Sequence, residues 1–489
     1  MGKTFSRIPK LFSSGSKEPC GPECNGPACT PGHIPPTETT HSLATPRSPL
    51  HRTKRPASPS STPPEEQLAK RLRGDFQYLN FAFLKNNSTI SFIQESKVMF
   101  IMKGPPGSGK SFISQEIQKV YQDTAVCSAD HYYIHEGMYK FDKEIAKDAY
   151  EYCKQQAASA ARQNTHVIVI DNRCMQNWEM EFYLKLARAH KYIPVVVEPQ
   201  TPWAMVLREL AVKHGHSKPG KMIPNKVKSY VPVLPVYYGW FLNEVDSEVI
   251  SLVGRSWLQK ALGVTEFEQE FVQSFQVSSS EDLHSSFTWN SLIDGGSILH
   301  ATSKFTARGK GEGAQEYITS PLVKESVGKC FRLCIIGFVI TPRTIGARLK
   351  LSDEQLELWS SNDNEDPKVI KGTTPKPSDS EPNISKNISV CGSTVTTVKS
   401  SSTEIFHPTS GKGSRAHLTL ACAPNITPVN TGFDIIRAVR CEQYALRCDD
   451  QKPENYTIDE GILRNYGDGV WVLYPQCEVL VSSLFSAFY

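Results

Sequence analysis

The chain of 489 residues has no apolar run longer than a strand. Its longest, around Leu333 to Ile340, falls far short of the roughly 20 residues a helix needs to cross a bilayer. Residues 1–30 hold no apolar core, so no secretory leader is expected. Cysteine lacks a framework too: 13 thiols, an odd number at irregular spacings, argue for reduced side chains and a cytoplasmic setting. A dominant charge is also missing. With 54 Lys+Arg against 50 Asp+Glu the formal charge is only +4, so attraction to nucleic acid or membrane must come from a local patch.

Two stretches lack what a core requires. Residues 1–75 are rich in Pro, Ser, Thr and Gly and read as a disordered tail; residues 360–414, dense in Ser, Thr, Asn, Lys and Pro, read as a disordered insertion within a folded domain. The tail opens on Met1-Gly2-Lys3-Thr4-Phe5-Ser6, a pattern for N-myristoylation at Gly2, with Lys3, Arg7 and Lys10 close by. One acyl chain binds membranes only marginally, so the basic residues or a palmitoyl group on Cys20, Cys24 or Cys29 must help. The expectation is a cytoplasmic protein associated with a membrane surface. Lys54-Arg55 and Lys70-Arg71-Leu72-Arg73 form two basic clusters, which suit a split nuclear signal, an RNA- or lipid-touching patch, or plain solvated charge.

After the tail the chain divides into a region at 76–228 and another at 229–489, the second holding the insertion. In the first, Lys97–Met102 reads as a buried strand running into Gly104-Pro105-Pro106-Gly107-Ser108-Gly109-Lys110-Ser111, which fits G-x-x-x-x-G-K-[ST], and then into a helix. The backbone amides of such a loop cradle phosphates. Gly104, Gly107, Ser108 and Gly109 would form the cradle, Lys110 would neutralise terminal phosphates of ATP or GTP, and Ser111 would reach Mg2+. Strands at 125–130 and 167–171 end in Asp130, a candidate base, and Asp171, a candidate metal organiser. Strands alternating with helices predict an α/β P-loop domain with a parallel sheet.

The second region changes to an α+β pattern with antiparallel sheets. Within it, Ile298-Leu299-His300-Ala301-Thr302 and Ala416-His417-Leu418-Thr419-Leu420 each place His and Thr two apart in a strand-like context. Side chains i and i+2 share a strand face, so each stretch presents an imidazole with a hydroxyl. Two such stretches facing one cleft supply a base, an acid and two anion-holding hydroxyls, which is what opening a phosphodiester without a metal requires. The triplets His284-Ser285-Ser286 and His407-Pro408-Thr409 sit in polar surroundings, the second with an internal proline, and are set aside.

The tandem His-x-Thr motifs and their surroundings resemble the 2H phosphoesterases, and within them the vertebrate 2',3'-cyclic-nucleotide 3'-phosphodiesterases known from myelin. The matching text is His300–Phe305, Phe338–Arg348, Ser414–Leu420 and Tyr238-Gly239-Trp240-Phe241-Leu242, with a polynucleotide-kinase-like P-loop region ahead of them. The resemblance implies hydrolysis of nucleoside or RNA 2',3'-cyclic phosphates to 2'-phosphates with no cofactor at the phosphodiesterase site. It assigns His417 as base and His300 as acid, with the exchanged roles open, and Thr302 and Thr419 as holders of phosphate oxygens. It also implies that Phe305 stacks a base, Arg415 orients phosphate, and Pro428 and Val429 line the cleft. Two departures stand out: Ser486-Ala487-Phe488-Tyr489 is not a prenylation box, and Asp171-Asn172-Arg173-Cys174 differs from the Asp-x-Thr-Asn run of kinase-like relatives. Competing expectations are an RNA end-processing enzyme whose P-loop domain phosphorylates 5' ends, and a membrane-associated scaffold for RNA or cytoskeleton.

Overall fold

The computed structural model describes residues 78–136, 138–213, 222–277, 279, 286–290, 295–359, 392–399, 411–447, 453–459 and 461–489. Gly2, the tail cysteines, both tail basic clusters, His284 and the whole of 407–409 lie outside the described residues.

A parallel sheet comes first. It is built from β1 (Val98–Met102), α1 (Lys110–Val120), β2 (Thr124–Cys127), α2 (Ala146–Arg162), β3 (Val167–Ile170), α3 (Asn177–Ala189) and β4 (Ile193–Val197). The strand order is β2-β3-β1-β4, every pair parallel. Every residue of β1 and β3 is buried, as strands covered on both faces must be. In α2, Ala149, Cys153, Ala157, Ala160 and Ala161 recur on one face, and their small side chains let the helix lie close on the sheet.

The second sheet is antiparallel throughout. Its elements are β5 (Tyr237–Phe241), α4 (Glu244–Ala261), α5 (Thr265–Phe275), β6 (Thr288–Trp289), β7 (His300–Phe305), β8 (Cys330–Ile340), β9 (Thr344–Lys350), β10 (Thr396–Lys399), β11 (His417–Cys422), α6 (Val429–Ala445), β12 (Glu454–Ile458), β13 (Gly461–Asn465), β14 (Trp471–Pro475) and β15 (Cys477–Phe488). The long strand β8 is shared by two arms. Its first half, Cys330 to Ile335, pairs with β15, from which the sheet continues to β5 and β7. Its second half pairs with β9 and β14, and β9 leads on to β11 and β6. The two His-x-Thr strands, β7 and β11, therefore come from different arms of one sheet.

The arms repeat a detail. Register slips beside Gly239 in β5 and beside Gly346 in β9, and these glycines stand opposite Thr302 and Thr419 respectively. A Cβ on Gly239 would lie 2.3 Å from the carbonyl oxygen of Ala301, and one on Gly346 would lie 2.5 Å from Thr431 Cγ2. Only glycine allows the approach at Gly239, where the obstacle is backbone. Behind both His-x-Thr strands runs α4. Ser247 Oγ accepts from Leu299 N–H at 2.9 Å, and a Cβ on Gly254 would lie 2.6 Å from Leu420 Cδ1. One helix thus sets the depth of both histidine strands.

One expectation from composition needs correcting. Within the stretch 360–414, residues 392–399 are ordered: β10 pairs with β15, and Ser393 and Thr394 bond the buried Asp246 of α4. The carboxylate accepts from Ser393 Oγ at 2.9 Å, Thr394 N–H at 2.8 Å and Thr394 Oγ1 at 2.7 Å. A buried carboxylate needs such donors, and that demand outweighs the polar composition of the segment that supplies them. The two sheets also share a core, since Phe241 and Leu484 of the second pack among the aromatic and aliphatic residues of the first.

If the bulge at Gly239 is what fits β7 against β5, Gly239→Ala lowers unfolding stability by about 1–3 kcal/mol, the cost of overpacking a closed site. Chemical denaturation checks this; an unchanged midpoint contradicts the close-approach account.

Candidate active site

Alternation in β7 and β11 decides what faces the cleft. Ala301 and Ser303, and likewise Leu418 and Leu420, are buried in the sheet, whereas His300 and Thr302, and His417 and Thr419, are half-buried and line a single cleft of about 1290 Å³. Phe305, Arg415, Pro428 and Val429 line the same cleft. All eight residues expected there are thus brought together. Phe305, ending β7, is 61% exposed, a ring face open to solvent on the cleft wall.

Both imidazoles are tethered to backbone just upstream. His417 Nδ1 lies 2.7 Å from the Arg415 carbonyl oxygen and donates to it, which leaves Nε2 for a substrate. His300 is likewise bonded to the backbone of Ile298. Burial pushes the His300 imidazole down to about 4, against the help of the Ile298 bond, and the charge of His417 pushes the same way. Burial also lowers His417, with the Arg415 guanidinium adding to the effect. In the free protein both rings are therefore neutral at pH 7.

Sequence reasoning missed the surroundings that hold these rings. Tyr237 stacks on His300 with centroids 4.9 Å apart at 15°, and Phe241 lies at 5.4 Å and 24°. Across the cleft α6 forms a wall. Its Asp434 accepts from Thr341 Oγ1 at 2.9 Å and Thr344 Oγ1 at 2.7 Å and pairs with Arg343, bolting the helix to the β8–β9 turn. That anchor brings Gly432 over His417, where a Cβ would lie 3.2 Å from Cε1, and sets Phe433, Arg437 and Arg440 along the cleft. Tyr237 and Phe241 had a signal in the run Tyr237–Phe241, an aromatic pair on one strand face; the α6 residues had none without the fold.

A separate site forms at the P-loop. Gly104, Gly107 and Gly109 have φ of 145°, 80° and 105°, values that favour glycine. Lys110 Nζ donates to the Pro105 carbonyl at 2.9 Å within the loop, and burial lowers it to about 8. Ser111 bonds the Asp171 carboxylate, which burial raises and Lys110 lowers. Asp130 acts on both Lys110 and Asp171 and accepts from Tyr139 at 3.3 Å. Arg173, noted above only as a departure, adds a cation held by Tyr150. Ser108 Oγ is buried with no protein partner, a polar atom left for a ligand.

Two His-x-Thr strands thus face one cleft on two arms of an antiparallel sheet, in a chain whose first sheet carries a P-loop. Residues 234–405 and 397–489 match the family described as 2',3'-cyclic nucleotide 3'-phosphodiesterase, and residues 99–228 match an AAA domain. The chain is 30% identical over 420 residues to the 2',3'-cyclic-nucleotide 3'-phosphodiesterase of Pongo abelii, covering 84% of this chain and 87% of that protein. The Mus musculus protein of the same name is 29% identical over 419 residues, with the same coverage. A shorter match, 33% over 133 residues, is to the Homo sapiens NEDD4-binding protein 2 and covers 27% of this chain and 8% of that protein. This chain belongs to the 2',3'-cyclic nucleotide 3'-phosphodiesterase family of enzymes.

The buried tethers give a direct spectroscopic test. In nitrogen-15 spectra at pH 7, His417 appears as the neutral Nδ1–H tautomer, and His300 and His417 both titrate below the ordinary 6.5. A charged ring at pH 7 in the free protein contradicts the burial argument.

Proposed function

We propose that the chain hydrolyses the 2',3'-cyclic phosphate of a nucleoside or an RNA 3' end to a 2'-phosphate, breaking the bond to the 3' oxygen by acid–base catalysis without a metal. The observation behind this is the pairing itself: two imidazoles, each tied to backbone just upstream of it, and two threonines on one cleft. One ring takes the proton of the attacking water and the other returns a proton to the departing oxygen. Thr302 and Thr419 hold the non-bridging oxygens, an interaction that strengthens as charge develops on them. Phe305 and Val429, exposed on the cleft walls, sandwich the base, while Arg415 meets the phosphate.

Proton affinity shapes the mechanism. Because both rings resist protonation when the cleft is empty, the working form is the pair with one proton, titrating as a unit. The anionic phosphate stabilises that proton, and our assignment puts it on His300, leaving His417 as the base. A proton on His417 disfavours one on His300, so substrate has to favour the proton on His300. The roles are separable by experiment.

At the P-loop the residues fit a nucleoside triphosphate: the glycine turns and the partnerless Ser108 hydroxyl face the phosphates, Lys110 meets their charge, and Ser111 and Asp171 would hold Mg2+. Bound Mg2+ would supply charge neutralisation for the phosphates. We include ATP or GTP binding here, with Asp130 in reach to accept a proton from an acceptor hydroxyl.

His300→Ala and His417→Ala each lower turnover of 2',3'-cyclic AMP by about 10²–10⁴-fold, the usual size of an acid–base contribution; retained activity removes the proposal. With sulfur replacing the bridging 3' oxygen, a group that leaves without a proton, His300→Ala recovers to within about tenfold of wild type and His417→Ala does not. Recovery of His417→Ala instead exchanges the roles. The pH profile of kcat/KM has its maximum below 6.5, because singly protonated free enzyme is scarce above it. Lys110→Ala loses ATP binding by calorimetry and leaves cyclic AMP hydrolysis unchanged; retained binding contradicts the P-loop reading.

A further inference from the structure

The stack behind His300 reaches the other domain. Tyr237, stacked on the imidazole, is itself covered by Phe488 of β15, with ring centroids 5.0 Å apart and planes 3° from parallel. Phe488 is capped by Arg188 of α3, whose guanidinium lies 4.6 Å from the ring centroid and whose NH2 donates to the Tyr489 carbonyl at 3.3 Å. The stack Arg188–Phe488–Tyr237–His300 is thus continuous from a helix of the P-loop domain to the phosphodiesterase cleft. Lys191, just beyond α3, donates to the Gly296 carbonyl in the segment that leads into β7, and Ser486 Oγ of β15 bonds Pro194 of β4. A small pocket of about 60 Å³ remains among these groups, with His300 on one wall and Arg188 on another.

We propose that Arg188 and Phe488 are positioning residues for the phosphodiesterase reaction, through which the P-loop domain holds the His300 ring in its catalytic orientation and keeps water from its back face. The proposal rests on the reading of His300 as a catalytic residue. An imidazole on an edge strand has one face to lose: without the stack, Tyr237 can rotate, water can enter behind it, and the ring can tilt away from the substrate. Misplacement on the order of 1 Å is enough to slow chemistry while leaving binding of the ground state intact.

Facing His300 from the cleft are His417 and Arg415, with Lys304, Glu312, Arg437 and Arg440 further along it; from behind come Tyr237, Tyr489, Tyr192, Arg188 and Lys191. The two cations behind are spoken for by Phe488 with Tyr489 and by Gly296. Burial is therefore the main influence on His300 proton affinity, and loosening the stack to admit more water moves that affinity up toward the ordinary histidine value.

Steady-state kinetics on 2',3'-cyclic AMP across pH test this with Phe488→Ala and Arg188→Gln. Each is expected to lower kcat by about tenfold with KM within twofold, the signature of misplaced rather than missing chemistry. The acid limb of kcat/KM should also move up, by roughly one unit for Phe488→Ala. Phe488→Tyr, which keeps the stacked ring, restores both, and Lys185→Ala on the water-facing side of α3 changes neither. If Phe488→Ala fails to fold by thermal melt, Arg188→Gln decides alone, since that exposed side chain meets Phe488 and Tyr489 at the surface. Wild-type kcat and an unmoved acid limb in Arg188→Gln, with His300→Ala inactive, overturn this proposal and spare the catalytic reading. Activity retained in His300→Ala removes the catalytic reading itself.

Discussion

Two buried imidazoles on one cleft, with a charge on His417 opposing one on His300, are the arrangement on which the rest of this protein depends. Burial keeps a proton off either ring until an anion arrives, and the charge of one discourages charge on the other. A negative substrate favours the singly protonated pair, the state that the proposed acid–base cleavage requires. The fold serves that condition. Strand β8 carries both arms of the sheet, matched glycine bulges seat each threonine, and α4 braces both strands from behind.

The two walls of the cleft are fixed by different means. On the His417 side a helix is bolted down by a buried carboxylate: Asp434 takes hydroxyl bonds from Thr341 and Thr344 and an ion pair from Arg343. Further along the same helix Glu442 pairs with Arg348, the residue opposite His417 in register, and both are buried. On the His300 side the support is aromatic and comes partly from the P-loop domain. A charged clamp is rigid but leaves unpaired charge when broken, whereas a stack can slide. The His300 wall is thus the one where domain packing reaches the chemistry.

What was legible in the sequence was local. A period of two put His and Thr on one face of each strand, and β7 and β11 show that face turned to the cleft. The P-loop was legible for the same reason, since its strand, glycine turns and helix are contiguous. Contacts between distant segments were not: nothing in Phe488 or Arg188 read alone reveals a ring stack behind His300, and Gly432 shows no relation to His417 until Asp434 anchors its helix. Composition misled at 392–399, where polar residues are drawn into order by the buried Asp246. The resemblance named Phe305, Arg415, Pro428 and Val429, and the cleft gathers them.

The central claim is cleavage of the 3' bond by two histidines without a metal. Phosphorus-31 spectra of 2',3'-cyclic AMP turned over by the wild-type chain in EDTA and oxygen-18 water measure it in one experiment. The account predicts 2'-AMP alone, carrying one labelled oxygen on phosphorus, at an undiminished rate. Formation of 3'-AMP, or loss of turnover in EDTA, would contradict it.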